Sequence, residues 1–224
     1  MISGENININ NLNKEYDKLQ LKYGANELNS IYSGGYDKEP NVLFIFMNPT
    51  GRNVASSKEW KGRKSPWIGL KNIWKLFYNI GLLDKKIFEE IQKRKPLEWD
   101  ELFADLVYSN VEKYKYFITN LGKCTQIDAR PLPDSIYQKY LKLLYKEIEI
   151  IKPKIIITFG NQVSSIFLNE NIQVSKCRQK KFVKKIDNIE YDVYPTFYPV
   201  GNGMRNIDNA ITDLKNILKT TNKF

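Results

Sequence analysis

A chain of 224 residues with 42% hydrophobic residues and 14 tyrosines is long enough to bury one substantial core, so a single packed domain is expected rather than a disordered tail. The 35 lysines and arginines against 25 acidic residues leave a net charge of +10, which favours a polyanionic partner, although basic surfaces also serve solubility. Histidine is absent, which excludes an imidazole base, a Ser-His or Cys-His nucleophile and any histidine-bearing metal cluster; chemistry must rest on carboxylates, amides, hydroxyls, lysines or ordered water.

The N-terminal stretch MISGENININNLNKEYDK has neither a basic head nor an apolar h-region, and no apolar run reaches the roughly 18 residues that a membrane span needs. A cytoplasmic protein without a membrane partner is therefore expected. Cys124 and Cys177 lack CxxC spacing, so neither a zinc site nor a disulfide framework is indicated.

In chain order, the first strand is expected at Val42 to Phe46, running into MNPTGRN. A helix follows within residues 68–84, where Ile73, Trp74, Phe77 and Ile80 fall on one face and Gly81 closes it. Residues 84–114 read as a helical excursion on the surface. The second strand, Tyr116 to Thr119, runs into TNLGKC. A longer helix at 133–153 has Asp134 or Ser135 as its cap, Ile136, Tyr140, Leu143, Leu144 and Ile148 as its apolar face, and Pro153 as its stop. The third strand, Ile155 to Phe159, runs into TFGNQ, with a helix at 161–168; the fourth, Tyr191 to Tyr194, runs into TFYPVGNGMRN, with a last helix at 206–219.

Alternating strands and helices predict an α/β fold, a three-layer α/β/α arrangement around a central four-stranded parallel sheet. In such folds ligands sit beyond the carboxyl ends of the strands, and all four strands here end in loops rich in amides and glycines. Two basic stretches, KEWKGRK at 58–64 and KCRQKKFVKK at 176–185, are either phosphate contacts or solvated faces.

The ordered set MNPTG, PWIG, TNLGKC, KPKIIITFG and PTFYPVGNGMRN resembles the uracil-DNA glycosylase superfamily, and the likeness runs from the first strand to the last helix. The middle and end resemble its thermostable iron-sulfur branch, whereas MNP resembles the mismatch-specific and single-strand-selective branches. The resemblance implies a monofunctional DNA glycosylase that hydrolyses the N-glycosidic bond of a flipped-out pyrimidine. Asn48 would hold the attacking water; the alternative is that it forms an Asx-Pro turn. Met47 and Pro49 would border the base. Trp67 would stack on it, the alternative being a core tryptophan. Asn120 would read the pyrimidine edge, since an amide offers both an acceptor and donors.

Tyr198 stands where the iron-sulfur branch has a histidine that stabilises charge on the departing base. Its hydroxyl could donate to the same oxygen, or the ring could form an aromatic wall with Phe197. In the same loop Asn202 and Met204 would press into DNA, Met204 as a wedge, with Arg205 contacting phosphate or the orphaned base. Thr50, Arg52 and Gly160 complete the expected DNA-facing set. The branch's four cluster cysteines are missing, so no cofactor is expected. DNA is the implied partner of a monomer. The substrate is either uracil or a modified cytosine of phage DNA, attacked in antiviral defence; the alternative is a non-catalytic DNA-binding module on a degenerate scaffold.

Overall fold

The computed structural model describes residues 8–129 and 132–221. Among them the helices are α1 (Ile9–Tyr23), α2 (Asn72–Asn79), α3 (Lys85–Lys93), α4 (Glu101–Lys113), α5 (Asp134–Ile151), α6 (Asn161–Leu168) and α7 (Ile207–Thr220). The strands are β1 (Gly34–Gly35), β2 (Val42–Phe46), β3 (Tyr116–Asn120), β4 (Ile155–Phe159), β5 (Phe182–Ile186) and β6 (Ile189–Thr196).

Strands β2, β3 and β4 are buried at every residue, as expected of apolar runs covered on both faces. The sheet order is β1-β3-β2-β4-β6-β5, and the inner four strands are mutually parallel. The expected four-stranded sheet is thus the centre of a six-stranded one, extended by an antiparallel strand at each edge. Both edge strands lack the signal that betrays a buried strand. β1 is two glycines, and a Cβ on Gly35 would lie 2.4 Å from the Tyr116 carbonyl oxygen. β5, FVKKI, carries two adjacent lysines and buries only Ile186 fully.

Side-chain alternation along the strands separates two cores. Val42, Phe44, Phe46, Tyr116, Ile118, Ile157 and Phe159 face a layer made by α2, α3, α4 and α7. Leu43, Ile45, Phe117, Leu121, Ile156 and Val193 face α1, α5 and α6. Segment 84–114 is an integral part of the first layer rather than a surface excursion: α4 buries Phe103, Ala104, Val107, Tyr108 and Val111. At the start of this segment the Asp84 carboxylate accepts hydrogen bonds from Lys113 at 2.6 Å, Tyr114 at 2.6 Å and Asn110 at 2.7 Å.

The hydrogen bonds from Lys113 and Tyr114 hold the Asp84 carboxyl below its usual range. A depressed carboxyl pKa contributes stability above the unfolded value and loses it as pH falls through the folded value. Asp84→Asn is therefore expected to lower stability at neutral pH and to leave it nearly unchanged at low pH, which flattens that part of the acid-unfolding profile, read by circular dichroism between pH 2 and 5 (roughly the carboxylate range); a profile parallel to wild type would refute it.

α5 starts without a side-chain cap. Pro133 holds the cap position, and the Asp134 carboxylate accepts from Gln162 of α6 at 2.7 Å instead of closing its own helix. The helix ends as expected, with Lys152 in a left-handed conformation (φ 49°) just before Pro153. Its buried face is Tyr137, Tyr140, Leu144, Glu147, Ile148 and Ile151, whereas Ile136 and Leu143 are only half-buried. Glu147 belongs there because it pairs with Lys123 at 3.1 Å, both side chains being 1% exposed. Thr119 donates to the same Glu147 oxygen at 2.7 Å and accepts from Lys123. Burial lowers the Lys123 pKa, and Glu147 opposes that shift. α1, not expected from sequence, is tied down by Gln20, which accepts from the Thr125 amide at 2.7 Å and donates to the Ala25 carbonyl at 2.9 Å.

Candidate active site

The register of the four parallel strands aligns one residue from each at the carboxyl end of the sheet. Asn120 lies opposite Phe46, and Phe159 opposite Thr196; Phe46 and Phe159 stack at 4.2 Å between ring centroids, 11° from parallel. The row Asn120, Phe46, Phe159, Thr196 therefore faces the same side, with an aromatic floor between two polar ends. Trp67 meets Phe46 edge-on at 4.9 Å and Tyr198 does so at 6.2 Å, giving the floor two aromatic walls.

Trp67 is half-buried and has φ 67°, an uncommon conformation for a bulky residue. Its surroundings enforce that conformation. The Pro66 carbonyl accepts from Tyr108 Oη at 2.6 Å, and the Trp67 carbonyl accepts from Trp74 Nε1 at 3.2 Å and from the Leu70 amide at 3.2 Å. The Trp67 indole N–H is buried without a partner among the described residues, as is the Thr196 hydroxyl. Backbone held in an unfavourable region by several hydrogen bonds concentrates at functional sites.

Asn120 is 2% exposed, and its side-chain amide forms no hydrogen bond among the described residues. Asn48, two residues past the end of β2, is 8% exposed and oriented on both sides. Its Nδ2 donates to the Pro49 carbonyl at 3.1 Å, and its Oδ1 accepts from Tyr137 Oη at 2.6 Å. In an Asx-Pro turn Oδ1 would accept from the Thr50 amide, whereas here it accepts from Tyr137. Met47 is half-buried against the second core and Pro49 is buried.

Tyr198 follows β6 by two residues, and its hydroxyl forms no hydrogen bond among the described residues. The residue is half-exposed, and desolvation raises its pKa above the ordinary phenol value. Its ring lies over Gly160, where φ is 86° and a Cβ would come 3.5 Å from Tyr198 Cβ. At Gly203 a Cβ would fall 2.0 Å from the Tyr198 carbonyl oxygen, so only glycine allows the loop to close over Tyr198. Asn202 and Arg205 are exposed and Met204 is half-buried in a short 3-10 turn, Gly201–Asn206, which leads into α7.

Thr50 forms an isolated parallel bridge with Gln126, and Arg52 is exposed beside it. Two residues that sequence reasoning missed bind these loops together. Asn53 accepts from the Ala55 amide at 3.0 Å and donates to the Ser65 carbonyl at 3.0 Å, joining the Asn48 loop to the Trp67 loop. Tyr137 reaches Asn48 from α5 across 89 positions of sequence.

The basic stretches are used more for structure than expected. Arg63 pairs with Asp105 at 2.7 Å and lies over the Tyr108 ring at 4.7 Å. Arg178 makes a forked ion pair with the fully buried Asp213, the closer contact being 2.9 Å, and lies 5.7 Å from the Phe197 ring. Lys184 and Lys185 pair in register with Tyr191 and Glu190, at the end of β6 remote from the site.

A family profile described as the Uracil DNA glycosylase superfamily matches residues 33–218. The chain belongs to the uracil-DNA glycosylase superfamily. The matched span contains all four strand-end loops, and α1 precedes it. A Type-4 uracil-DNA glycosylase of Sulfurisphaera tokodaii is 34% identical over 93 residues, which cover 40% of this chain and 42% of that protein's length. Within the superfamily some members hold an iron-sulfur cluster on four thiolates; two cysteines, Cys124 and Cys177, do not fit such a group. Among the described residues no cluster of three or more metal-ligating side chains occurs, and no helix is long and apolar enough to cross a membrane.

Proposed function

We propose that this superfamily member is a monofunctional DNA glycosylase acting on a non-standard pyrimidine extruded from DNA. The observation that carries the reading is that Asn48 and Asn120 stand at the ends of adjacent parallel strands, with Asn120 2% exposed and its side chain making no hydrogen bond among the described residues. Such an amide has both its acceptor and its donors available to a pyrimidine edge. The aromatic floor and walls at Phe46, Phe159, Trp67 and Tyr198 suit a flat ring, and stacking a base contributes about 1–3 kcal/mol.

In this mechanism the extruded base stacks on Trp67 and exchanges hydrogen bonds with Asn120. Asn48 Oδ1 accepts a proton contact from a water and directs its lone pair at the anomeric carbon. An amide is too weak a base to deprotonate water early, so departure of the base runs ahead of attack. Tyr198, kept protonated by its raised pKa, supplies a neutral donor to the departing base. Thr50, Arg52, Asn202, Met204 and Arg205 line the approach at which backbone phosphates and the vacated stack would be met. A lysine nucleophile is not part of the mechanism, so strand cleavage by lyase chemistry is not expected. The superfamily and the relative's printed activity favour uracil, whereas the replacement of a histidine by Tyr198 favours a modified cytosine of phage DNA and a role in antiviral defence. The protein would work as a cytoplasmic monomer.

The test is mass spectrometry of bases released from uracil-substituted, unmodified and glucosylated-hydroxymethylcytosine DNA. One base should be released, and Asn48→Ala should slow its release by about 100-fold. Equal release by wild type and Asn48→Ala would refute the assignment. The lack of histidine also allows a second reading, a DNA-binding module without chemistry; tight binding with no abasic product on any of the three DNAs would decide for it.

A further inference from the structure

We infer that Tyr137 is a positioning residue for Asn48, fixing which end of its amide faces the water site. The inference rests on the glycosylase reading above. Amide oxygen and nitrogen are nearly equivalent in shape, so a lone asparagine at a strand end can present either acceptor or donor. Only the oxygen can take a hydrogen from water and leave that water's lone pair aimed at an electrophilic carbon.

Two contacts remove the choice. The Tyr137 hydroxyl donates to Asn48 Oδ1 at 2.6 Å. On the other side of the amide, Nδ2 donates to the Pro49 carbonyl at 3.1 Å, a group that can only accept. An acceptor-only carbonyl at one end gives the relay Tyr137, Asn48, Pro49 a single direction. An amide turned over would set Oδ1 against the Pro49 oxygen, two acceptors with no proton between them. Oδ1 keeps its second lone pair, and that lone pair is the one free to hold water.

Packing keeps the phenol in place. A Cβ on Gly122 would fall 3.1 Å from Tyr137 Cε1, 3.2 Å from Cδ1 and 3.6 Å from Asn48 Cβ, so the ring and the Asn48 side chain both lie against the Gly122 backbone. That backbone is itself fixed to β2 through the Gly122 amide and the Met47 carbonyl at 2.9 Å. Burial raises the Tyr137 pKa well above the ordinary phenol value, so the group stays a donor across the working pH range.

Tyr137→Phe removes one oxygen and keeps the ring. Base release should slow about 10-fold in kcat with KM within about 2-fold of wild type, because the water and not the base is misdirected. In the Asn48→Ala background the same change should have no further effect, as expected of a residue that acts only through Asn48. An additive loss in the double variant, or an unchanged kcat in the single one, overturns the inference. If Asn48→Ala itself leaves the rate unchanged, the glycosylase reading of Asn48 fails instead. A measurement independent of activity reads the amide directly. The Asn48 side-chain NH2 resonances of the 15N-labelled protein, assigned by their loss in Asn48→Ala, should be one sharp pair in wild type and shifted or broadened in Tyr137→Phe. Identical spectra would overturn the inference even if no substrate were cleaved.

Discussion

Glu147→Ala is expected to destabilise the protein by about 3–5 kcal/mol, because it strands the Lys123 ammonium in a site where both side chains are 1% exposed. Truncation also removes the acceptor of Thr119 Oγ1. For a domain of this size the loss corresponds to roughly 6–20 °C in thermal midpoint. The double replacement Lys123→Met with Glu147→Leu should recover most of it, since replacing both ions by apolar groups of similar volume avoids desolvation altogether. Thermal and urea unfolding of the two proteins would check both statements. A single variant within about 1 kcal/mol of wild type would mean that water reaches the pair. Thr119 and Lys123 flank Asn120 in sequence, so the ion pair also anchors the strand end from which the base would be read.

Phe46→Ala is expected to cost a similar 3–5 kcal/mol, the usual range for deleting a fully buried phenylalanine. Its ring is the shared contact of Phe159, Trp67 and Tyr198, so the cavity would open directly under the candidate pocket. Base release should fall at a temperature where the variant remains folded, and Phe46→Leu should restore stability more fully than activity, because a leucine fills volume without offering an aromatic edge. Equal recovery of both would assign Phe46 to the core alone.

These effects show why some of the structure is legible in the sequence and some is not. VLFIF, YFITN and IIITF are continuous apolar runs, and a strand covered on both faces has no other way to be soluble inside a protein. The edges carry no such mark: Gly34 and Gly35 have no side chains to pattern, and Lys184 and Lys185 interrupt β5. α1 buries only Leu12, Tyr16 and Gln20 of its 15 residues, too sparse a stripe among asparagines and lysines to stand out. In the candidate site, Asn48, Trp67, Asn120 and Tyr198 were visible because each ends or follows a strand in a loop resembling a known family. Met47 follows a buried strand by one step and so turns into the second core, a consequence of the period of two. Tyr137 was invisible for a different reason. An apolar-face search on α5 picks out Tyr140, Leu144 and Ile148, and nothing local to Tyr137 announces a partner 89 positions earlier.

The central strand has one more consequence, for synthesis. β2 is made early, yet its two neighbours are β3 and β4, and β4 follows only after residues 47–154 have been added. At about 5–20 residues per second, VLFIF waits for roughly 5–20 s with the edge that meets β4 open, and its other edge is open as well until β3 has been added. Five uncharged β-formers in a row are a ready template for aggregation during that interval. Pro40 lies two residues before the strand and Pro49 three residues after it, and proline cannot extend an intermolecular ladder. Beyond its place beside Asn48, then, Pro49 limits how far a waiting strand can pair with the wrong chain.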